Sequence, residues 1–344
     1  MNSYSDKTFY RYANGDDFMK LTMKDIARLA NVSQPTVSRV INGNPNVDKA
    51  LAKRVMKVIE ESNFTVNKAA QTLKSSQSFL VGVCVTDLSN PYFMEVIQAM
   101  EQDARAAGYN IIIHNSMHNP IKEWENVQNF LSRQVDGILL VPFGDYNIEK
   151  LKHINVPIVI TTQIKQDFDS VSVCHKEGVK LVADHLVSQG HQKIGYIGPP
   201  HDEKLIFFKE ALYNNGISFN DKRVIPLTPG QESAFDIHQN IEKYLSTHSD
   251  LDMTAIFCYN DVTALEFMRL TSHENLHIPE DIAVIGFDDS LISKIFEISS
   301  IHQPIKEMTK TAFKLLLSRI KDNSNETTSI ELPPKLIVRK SSTK

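Results

Sequence analysis

The sequence predicts an all-α head followed by an α/β body of two similar lobes, each built on a parallel sheet. Apolar side chains recur at helical spacing from residue 22 to residue 62, whereas short apolar runs alternate with amphipathic helices from residue 79 onward. The chain has 344 residues, more than one hydrophobic core usually holds. The alternation is also too long for one open sheet, so we predict two lobes. We expect a ligand cleft where the carboxyl ends of their strands meet.

The composition is that of an ordinary globular protein, with 42% hydrophobic and 23% charged residues, and it argues against disorder and fibrous structure. No apolar run of about 18 residues occurs, so we expect no membrane span. The first residues form neither a basic nor an apolar segment, so we do not expect secretion. The three cysteines, Cys84, Cys174 and Cys258, form no CxxC pair. We therefore expect a reducing cytoplasm, with no disulfide framework, structural metal or cofactor.

The head is predicted to occupy residues 22–66, after a polar and aperiodic extension that we expect to be disordered, residues 1–21. Thr22 with Asp25 three residues later predicts the start of one helix. Ser33 then predicts the start of a second helix, and a third follows. Two short helices separated by a brief break predict a helix-turn-helix, whose second helix fits the major groove of DNA. From the pattern alone, a small helical domain without DNA binding is an equal alternative.

Charge favours a polyanion partner for the head. Residues 19–78 hold ten Lys or Arg against four Asp or Glu, an excess of +6, although the whole chain carries −4. The rest of the chain is therefore acidic, so the charge suggests a polyanion partner for the head only, with an ordinary solvated surface as an equal alternative. Early side chains of the second helix suit DNA, with base contact available from Gln34, Pro35 and Arg39 and phosphate contact from Thr36 and Ser38.

Residues 67–78 are predicted to form a short helix and a linker between head and body. Asn67 is a good N-cap, and Ala70 and Leu73 belong to a small apolar stripe. The polar residues that follow, Ser-Ser-Gln-Ser, are typical of a flexible linker. A helix this short is marginal by itself, so we expect it to form only with a partner present.

The body, residues 79–344, is predicted to begin with a strand buried on both faces, since residues 79–85 are apolar throughout. Further strands are predicted at residues 111–113, 137–141, 157–160, 194–197, 255–258, 282–285, 329–332 and 335–339. Helices are predicted at residues 91–107, 122–133, 147–153, 177–188, 203–214, 232–246, 262–272 and 306–320. We expect lobe 1 to comprise residues 79–173 and 304–328, and lobe 2 residues 174–303 and 329–344.

The segment MKDIARLANVSQPTVSRVING at residues 23–43 resembles the head of the lactose-repressor (LacI/GalR) family of bacterial transcription regulators. NKAAQTL at residues 67–73 resembles the hinge of that family. In the body, SNPYF, DGI, GHQKI, IFCYND and GFDD follow in the family's order, so the resemblance covers nearly the whole chain from residue 22. It implies a body like that of the periplasmic sugar-binding proteins.

The resemblance implies a sequence-specific transcriptional regulator, most simply a repressor. It also implies binding to a palindromic operator as a homodimer, with a tetramer as an open alternative. Gln34, Pro35 and Arg39 match base-reading positions, and Thr36, Ser38 and Asn42 match positions that contact the DNA backbone. The hinge positions that match minor-groove contacts are Asn67, Ala70 and Leu73. An apolar wedge in the minor groove unstacks a base step and bends DNA. The alternative for Leu73 is packing on the body.

The resemblance also implies a small-molecule effector, a sugar or sugar derivative, in the cleft. The positions that match effector contacts are Phe93, Val173, Lys204, Glu232, Asn260, Asp288 and Gln303. Carboxylate and amide groups suit sugar hydroxyls, which both donate and accept hydrogen bonds. Lys204 stands where relatives have an Arg, and Glu232 stands where some sugar binders have an aromatic residue. The identity of the effector therefore stays open: it could be a polyol, a modified sugar or a sugar phosphate, and binding of no small molecule is a further alternative. Alternatively, Asp288 caps a helix, Asn260 is a turn residue and Phe93 is core.

Two other functional classes fit the sequence less well. A solute-binding protein of transport would explain the body, but it needs a signal peptide and no basic head. An enzyme on an open α/β sheet would need catalytic motifs, and no P-loop, GxGxxG, GxSxG or HExxH occurs. The sequence therefore favours a DNA-binding regulator without catalytic residues.

Overall fold

The computed structural model describes residues 21–41, 43–62, 64, 77–228, 230, 233–247, 251–273, 276–322 and 326–343. The chain divides into two compact units, with the boundary between Ser78 and Phe79. The predictions for residues 1–20 and for the site residues Asn42, Asn67, Ala70, Leu73 and Glu232 lie outside the described residues.

The head contains three helices, α1 (Met23–Leu29), α2 (Gln34–Ile41) and α3 (Lys49–Glu61). The predicted capping box at the start of α1 is confirmed, since the Asp25 amide donates to Thr22 Oγ1 and the Thr22 amide donates to Asp25 Oδ2. The three helices enclose a small core formed by Ile26, Ala27, Ala30, Val37 and Val55. This core fixes α2 so that its other side faces outward.

Lobe 1 of the body is a six-stranded parallel sheet with the order β11-β5-β4-β3-β1-β2. Its strands are β1 (Leu80–Val85), β2 (Asn110–Asn115), β3 (Gly137–Leu140), β4 (Ile158–Thr161), β5 (Asp169–Val173) and β11 (Ser329–Leu332). Its helices are α4 (Pro91–Ala106), α5 (Pro120–Ser132), α6 (Ile148–Leu151) and α12 (Ile305–Lys321). As predicted, β1 is buried on both faces, since Val83 and Cys84 belong to cores on opposite sides of the sheet.

Lobe 2 repeats this order as β12-β10-β9-β8-β6-β7, with β12 antiparallel to its neighbour. Its strands are β6 (Ile194–Gly198), β7 (Val224–Pro226), β8 (Ala255–Cys258), β9 (Ala283–Asp288), β10 (Ser299–His302) and β12 (Lys335–Ile337). Its helices are α7 (His175–Ser188), α8 (Glu203–Asn214), α9 (Ala234–Thr247), α10 (Asp261–His273) and α11 (Leu291–Ile295). The predicted fold class of an all-α head and two parallel-sheet lobes is therefore confirmed.

Three strands, one short helix and one lobe assignment differ from the prediction. The sequence pattern missed β5, β7, β10 and the helix α11. Residues 329–332 were assigned to lobe 2, but β11 pairs with β5 in lobe 1, where Ile330 lies opposite Val171. The chain therefore crosses between the lobes at residues 333–334, after β11 rather than before it. The pattern missed β5 because its serines are buried; Ser170 Oγ donates to the Phe168 carbonyl at 3.0 Å.

The cleft lies where the carboxyl ends of both sheets meet. The chain passes from one lobe to the other near residues 174, 303–304 and 333–334. Because the neighbouring strands at the centre of each sheet are parallel, the residues that follow them lie along one edge of that lobe. Asp288 ends β9, Gln303 follows β10 and Asn260 follows β8 after one residue. The fold thus places three predicted effector residues along the cleft edge of lobe 2.

Candidate DNA-reading head and effector cleft

The outward side of α2 carries the predicted base-reading residues. Val37 faces the core and is wholly buried, whereas Gln34, Pro35 and Arg39 are exposed. Thr36 and Ser38 are half-buried at the edges of this face. One face therefore presents amide, apolar and guanidinium groups, as major-groove recognition requires.

The start of α2 also offers a hydroxyl pair to a phosphate. Ser33 Oγ and Thr36 Oγ1 lie 2.8 Å apart, and the Thr36 amide donates to Ser33 Oγ at 3.4 Å. Since one hydroxyl donates to the other, one O–H of the pair remains for an external acceptor. Exposed cations lie on all three helices of the head, namely Lys24, Arg28, Arg39, Lys49, Lys53 and Arg54. Their field attracts a polyanion to this unit.

The cleft edge of lobe 2 brings together Asp288 and Gln303. Both side chains are buried, and Gln303 Nε2 donates to Asp288 Oδ1 at 2.8 Å. Gln303 Oε1 in turn accepts from the Tyr92 hydroxyl at 3.0 Å, and Tyr92 belongs to α4 of lobe 1. The sequence analysis did not single out Tyr92; its place beside Pro91 and Phe93 at the start of a cleft helix was the available signal. A hydrogen-bonded chain therefore crosses the cleft.

A second buried acid, Asp261, supports this edge and was missed by the sequence analysis. It is the first residue of α10, and its Oδ2 accepts from the amide and the hydroxyl of Ser290 at 2.7 and 2.8 Å. Its Oδ1 accepts from Ser300 Oγ at 2.5 Å. Burial raises the pKa of Asp261 to about 6.

Asp288 shares the environment of Asp261. Burial and the neighbouring Asp261 carboxyl raise the pKa of Asp288 well above its ordinary value, against the opposing effect of Lys204. Asp288 Oδ1 accepts from Gln303, whereas both oxygens of the fully buried Asp261 accept from serines of lobe 2. Asp288 is therefore the carboxyl of this pair that remains for a hydroxyl group at the cleft edge, and Asp261 supports it from within lobe 2.

Lys204, the second residue of α8, places a buried cation beside these acids. Its side chain is nine-tenths buried, and Nζ donates to the Tyr259 carbonyl at 3.2 Å. The same Nζ lies 4.4 Å from the ring centre of Tyr259 and 4.2 Å from that of Phe287. Two aromatic faces and one carbonyl thus hold the ammonium in place of bulk water. The structure therefore puts the predicted Lys204 close to Asp288.

The other predicted effector residues have more local roles. Asn260 Oδ1 accepts from the amide and hydroxyl of Thr263, both at 2.8 Å, so Asn260 caps α10, and its contact with an effector stays a prediction. Phe93 is half-buried and packs edge-on against Tyr92, with ring centres 5.2 Å apart. The side chain of Val173 is 1% exposed and packs in the core of lobe 2 with Phe287, and its contact with an effector stays a prediction.

The cleft edge of lobe 1 carries an aromatic pair that the sequence analysis missed. The rings of Phe143 and Tyr146 are stacked, with centres 5.8 Å apart, in the loop after β3. Glu123 of α5 is buried and fixes this loop, since its carboxylate accepts from the Phe143 amide at 2.6 Å and from Asn147 Nδ2 at 2.8 Å. Burial raises the pKa of Glu123. A phenylalanine directly after a buried strand and a proline was the available signal.

Comparison with known proteins identifies the family. Residues 22–67 match the model "Bacterial regulatory proteins, lacI family", and residues 183–342 match a periplasmic binding protein-like domain. The HTH-type transcriptional repressor PurR of Photobacterium profundum is 31% identical over 333 residues, 93% of this chain and 98% of that protein. The chain belongs to the LacI family. Catabolite control protein A of Priestia megaterium is 30% identical over 335 residues, 94% of this LacI-family chain and 99% of that relative.

Solved structures agree with the sequence relatives. The lac repressor dimer bound to operator and the anti-inducer ONPF superimposes on this LacI-family chain with a TM-score of 0.80. The two are 26% identical, and the match covers 94% of this chain and 99% of that one. The predicted resemblance to the family is therefore confirmed. The curated relatives are transcriptional regulators, which supports DNA binding and repression by the head.

Within the described part of the chain, no helix is long and apolar enough to span a membrane. The same residues contain no group of three or more His, Cys, Asp or Glu side chains arranged to hold a metal ion.

Proposed function

We propose that this protein is a cytoplasmic repressor that binds a palindromic operator as a homodimer and responds to a small effector in the cleft between its lobes. The observation that carries the proposal is the exposed face of α2, where Gln34, Pro35 and Arg39 project from a head that matches the LacI family. Thr36, Ser38 and Asn42 are assigned to the DNA backbone. The hinge residues Asn67, Ala70 and Leu73 are assigned to the minor groove.

A dimer is supported by an apolar surface on the body. Met94 of α4 is 44% exposed, and Leu291, Ile295 and Phe296 at α11 are 57%, 62% and 51% exposed. The two helices are neighbours, because the Leu291 amide donates to Glu95 of α4. An exposed group of large apolar side chains is typical of an interaction surface. A second copy of the chain would bury it.

A hydroxyl-rich effector, such as a sugar or sugar derivative, is supported by the mixed donors and acceptors at Asp288, Gln303 and Lys204. The aromatic rings of Phe93 and Phe143 on lobe 1 suit the apolar face of a sugar ring. Glu232 stays assigned to the same site. An effector that prefers one angle between the lobes would change the spacing of the two heads across the dimer.

Operator selection tests the DNA-binding part. Genomic fragments captured by the purified protein should share a palindromic sequence, and binding should weaken steeply as salt rises, because cations of the head displace counterions. Arg39→Ala should weaken operator binding about 10- to 100-fold and relax specificity at one symmetric base pair. Lys243→Ala, an exposed cation of the body, is the control. A protein that shows no preference for any palindrome over random fragments would refute this function.

A thermal-shift screen of sugars, polyols and sugar phosphates tests the effector part. A ligand of the cleft should raise the melting temperature of the parent and should fail to do so for Asp288→Ala, because only a ligand of the folded site stabilises the fold. It should also change operator affinity. A ligand that stabilises both proteins equally binds elsewhere and would exclude Asp288 from the site.

A further inference from the structure

The start of α11 is completed by a side chain from the other lobe. Ser290 precedes this helix of five residues but makes no side-chain cap, since both its amide and its hydroxyl donate to Asp261. The first helical amide, that of Leu291, instead donates to Glu95 Oε1 at 3.1 Å. Glu95 belongs to α4 of lobe 1. A carboxylate at the amide end of a helix is electrostatically favourable, so this contact stabilises the juxtaposition of the two lobes.

The segment that receives Glu95 is held firmly on lobe 2. Asp289 Oδ1 accepts from Arg339 Nη2 at 2.6 Å, and Asp289 Oδ2 pairs with His302 Nδ1 at 2.9 Å. The Asp289 amide donates to Ser300 Oγ at 3.0 Å. These bonds hold a backbone with φ of +122° at Asp288 and +52° at Asp289, conformations that such residues rarely adopt. A contact to this segment is therefore a contact to a rigid part of lobe 2.

The same end of α4 makes two further contacts across the cleft. Tyr92 donates to Gln303, and Asn90, which caps α4, hydrogen-bonds the Asp288 side chain. Those two contacts use groups that we assign to the effector, so a bound effector competes for them. Among the described residues, the hydrogen bond of Glu95 is to the backbone of Leu291, beside the effector groups but not among them. It is thus the contact of this set for which a bound effector does not compete.

We propose that Glu95 is an interlobe latch: by capping α11 it holds lobe 1 on the segment that carries Asp288, and so sets the angle between the lobes when the cleft is empty. The latch also lies between Met94 and Leu291 of the apolar surface, so its release would displace the two parts of that surface relative to each other. An effector that changes the angle between the lobes must either break this hydrogen bond or rotate the lobes about it. The proposal does not depend on the identity of the effector.

A distance measurement between the lobes tests the latch. Spin labels at Gln128→Cys of α5 and Lys243→Cys of α9, both exposed positions, report the lobe separation by pulsed dipolar spectroscopy. Cys174→Ser removes the one partly exposed cysteine, since Cys84 and Cys258 are buried, and excess unlabelled protein keeps one labelled chain per assembly. The second readout is amide exchange of Leu291 by NMR of protein labelled with ¹⁵N-leucine.

In Glu95→Ala we expect the distance distribution to shift or broaden, and the Leu291 amide to exchange about tenfold faster, because its charged acceptor is lost. Glu95→Gln should restore both readouts, since the amide oxygen still accepts. The matched control is Glu101→Ala on the same helix, whose carboxylate pairs only with Arg105 at 2.5 Å and should change neither readout. The proposal is overturned if Glu95→Ala keeps the parent distribution, or if Glu95→Gln behaves like Glu95→Ala.

Discussion

Lobe 1 and lobe 2 have the same strand order but carry different chemistry at the edges that face the cleft. In lobe 2, Asp261, Asp288 and Lys204 are all at least nine-tenths buried. In lobe 1, the loop after β3 presents the stacked rings of Phe143 and Tyr146, and Tyr146 is 66% exposed. The repeated fold therefore does not imply a repeated site. Lobe 2 holds a preorganised set of charged groups, whereas lobe 1 offers aromatic surface.

The buried acid of lobe 2, Asp261, should contribute the most to the free energy of unfolding. Asp261→Ala leaves the Ser290 amide and the hydroxyls of Ser290 and Ser300 without their acceptor in a fully buried place. We expect a loss of about 4 kcal/mol in the free energy of unfolding, measured by urea denaturation. Asp252→Ala, which removes an exposed carboxylate of the same lobe, should cost far less. Equal losses for both variants would contradict the assigned role of Asp261.

The apolar surface is the feature that both lobes share, and Ile295→Glu tests whether it associates. A charge buried between two copies lacks a partner, so the dimer dissociation constant should rise at least about 30-fold, or about 2 kcal/mol. Sedimentation equilibrium measures this change. Ile206→Glu is the matched control, because Ile206 of α8 is similarly exposed at 59% but lies outside the surface. An Ile295→Glu protein as dimeric as the parent would move the interface elsewhere.

Glu123 is the buried acid of lobe 1, and we expect a smaller and more local effect there. Glu123→Ala removes the acceptor of the Phe143 amide and of Asn147, but Phe143 is half-buried and water can replace the lost bond. The cost should be about 2 kcal/mol, with faster amide exchange confined to residues 142–147. Glu123→Gln, which keeps one acceptor oxygen but sets an NH2 group against the other donor, should recover only part of the stability. Loss of protection throughout lobe 1 would show that Glu123 supports the whole lobe rather than one loop.

Strands of the same lobe also differ in how well their sequences predict them. The unbroken apolar run of β1 predicted a strand buried on both faces, and the structure confirms it. The pattern of β5, Asp-Ser-Val-Ser-Val, gave no such signal, because its serines are buried through local hydrogen bonds rather than through apolar character. The lobe assignment of residues 329–332 failed for a related reason: strand pairing is a tertiary choice that the alternation of elements does not encode.

The same limit applies to the site. Asp288 and Gln303 were predicted from the family resemblance, and in the fold Gln303 Nε2 lies 2.8 Å from Asp288 Oδ1. Asp261 adjoins Asn260, a predicted site residue, but burial and its three serine contacts become visible only in three dimensions. Val173 ends a strand next to the cleft, yet its side chain packs in the core of lobe 2. Position along the chain therefore locates the edge of the site, whereas tertiary packing decides which side chains face it.

The pH dependence of stability should distinguish Asp261 from ordinary carboxyl groups. Its pKa is raised from 3.8 in the unfolded chain to about 6 in the fold, so the folded protein binds the proton more tightly. Stability from this group is therefore fully present below pH 3.8 and is lost as pH rises through 6. Asp261→Asn should remove that part of the slope between these values, measured by urea denaturation at a series of pH values. An unchanged slope would assign it to other groups.

The smallest effect on stability is expected for Lys204, although its effect on function should be large. Lys204→Met removes the buried ammonium but keeps a flexible apolar chain against Tyr259 and Phe287. Burial raises the pKa values of Asp288 and Asp202 and the Lys204 charge opposes this, so removal of the ammonium shifts both carboxyls further toward the neutral form. At pH 6 the free energy of unfolding should change by less than about 1 kcal/mol, while an effector that stabilises the parent should no longer do so. If Lys204→Met lowers the free energy of unfolding as much as Asp261→Ala does, Lys204 is needed to hold lobe 2 together. The charged residues at the cleft edge of lobe 2 would then have a structural role rather than a role in effector recognition.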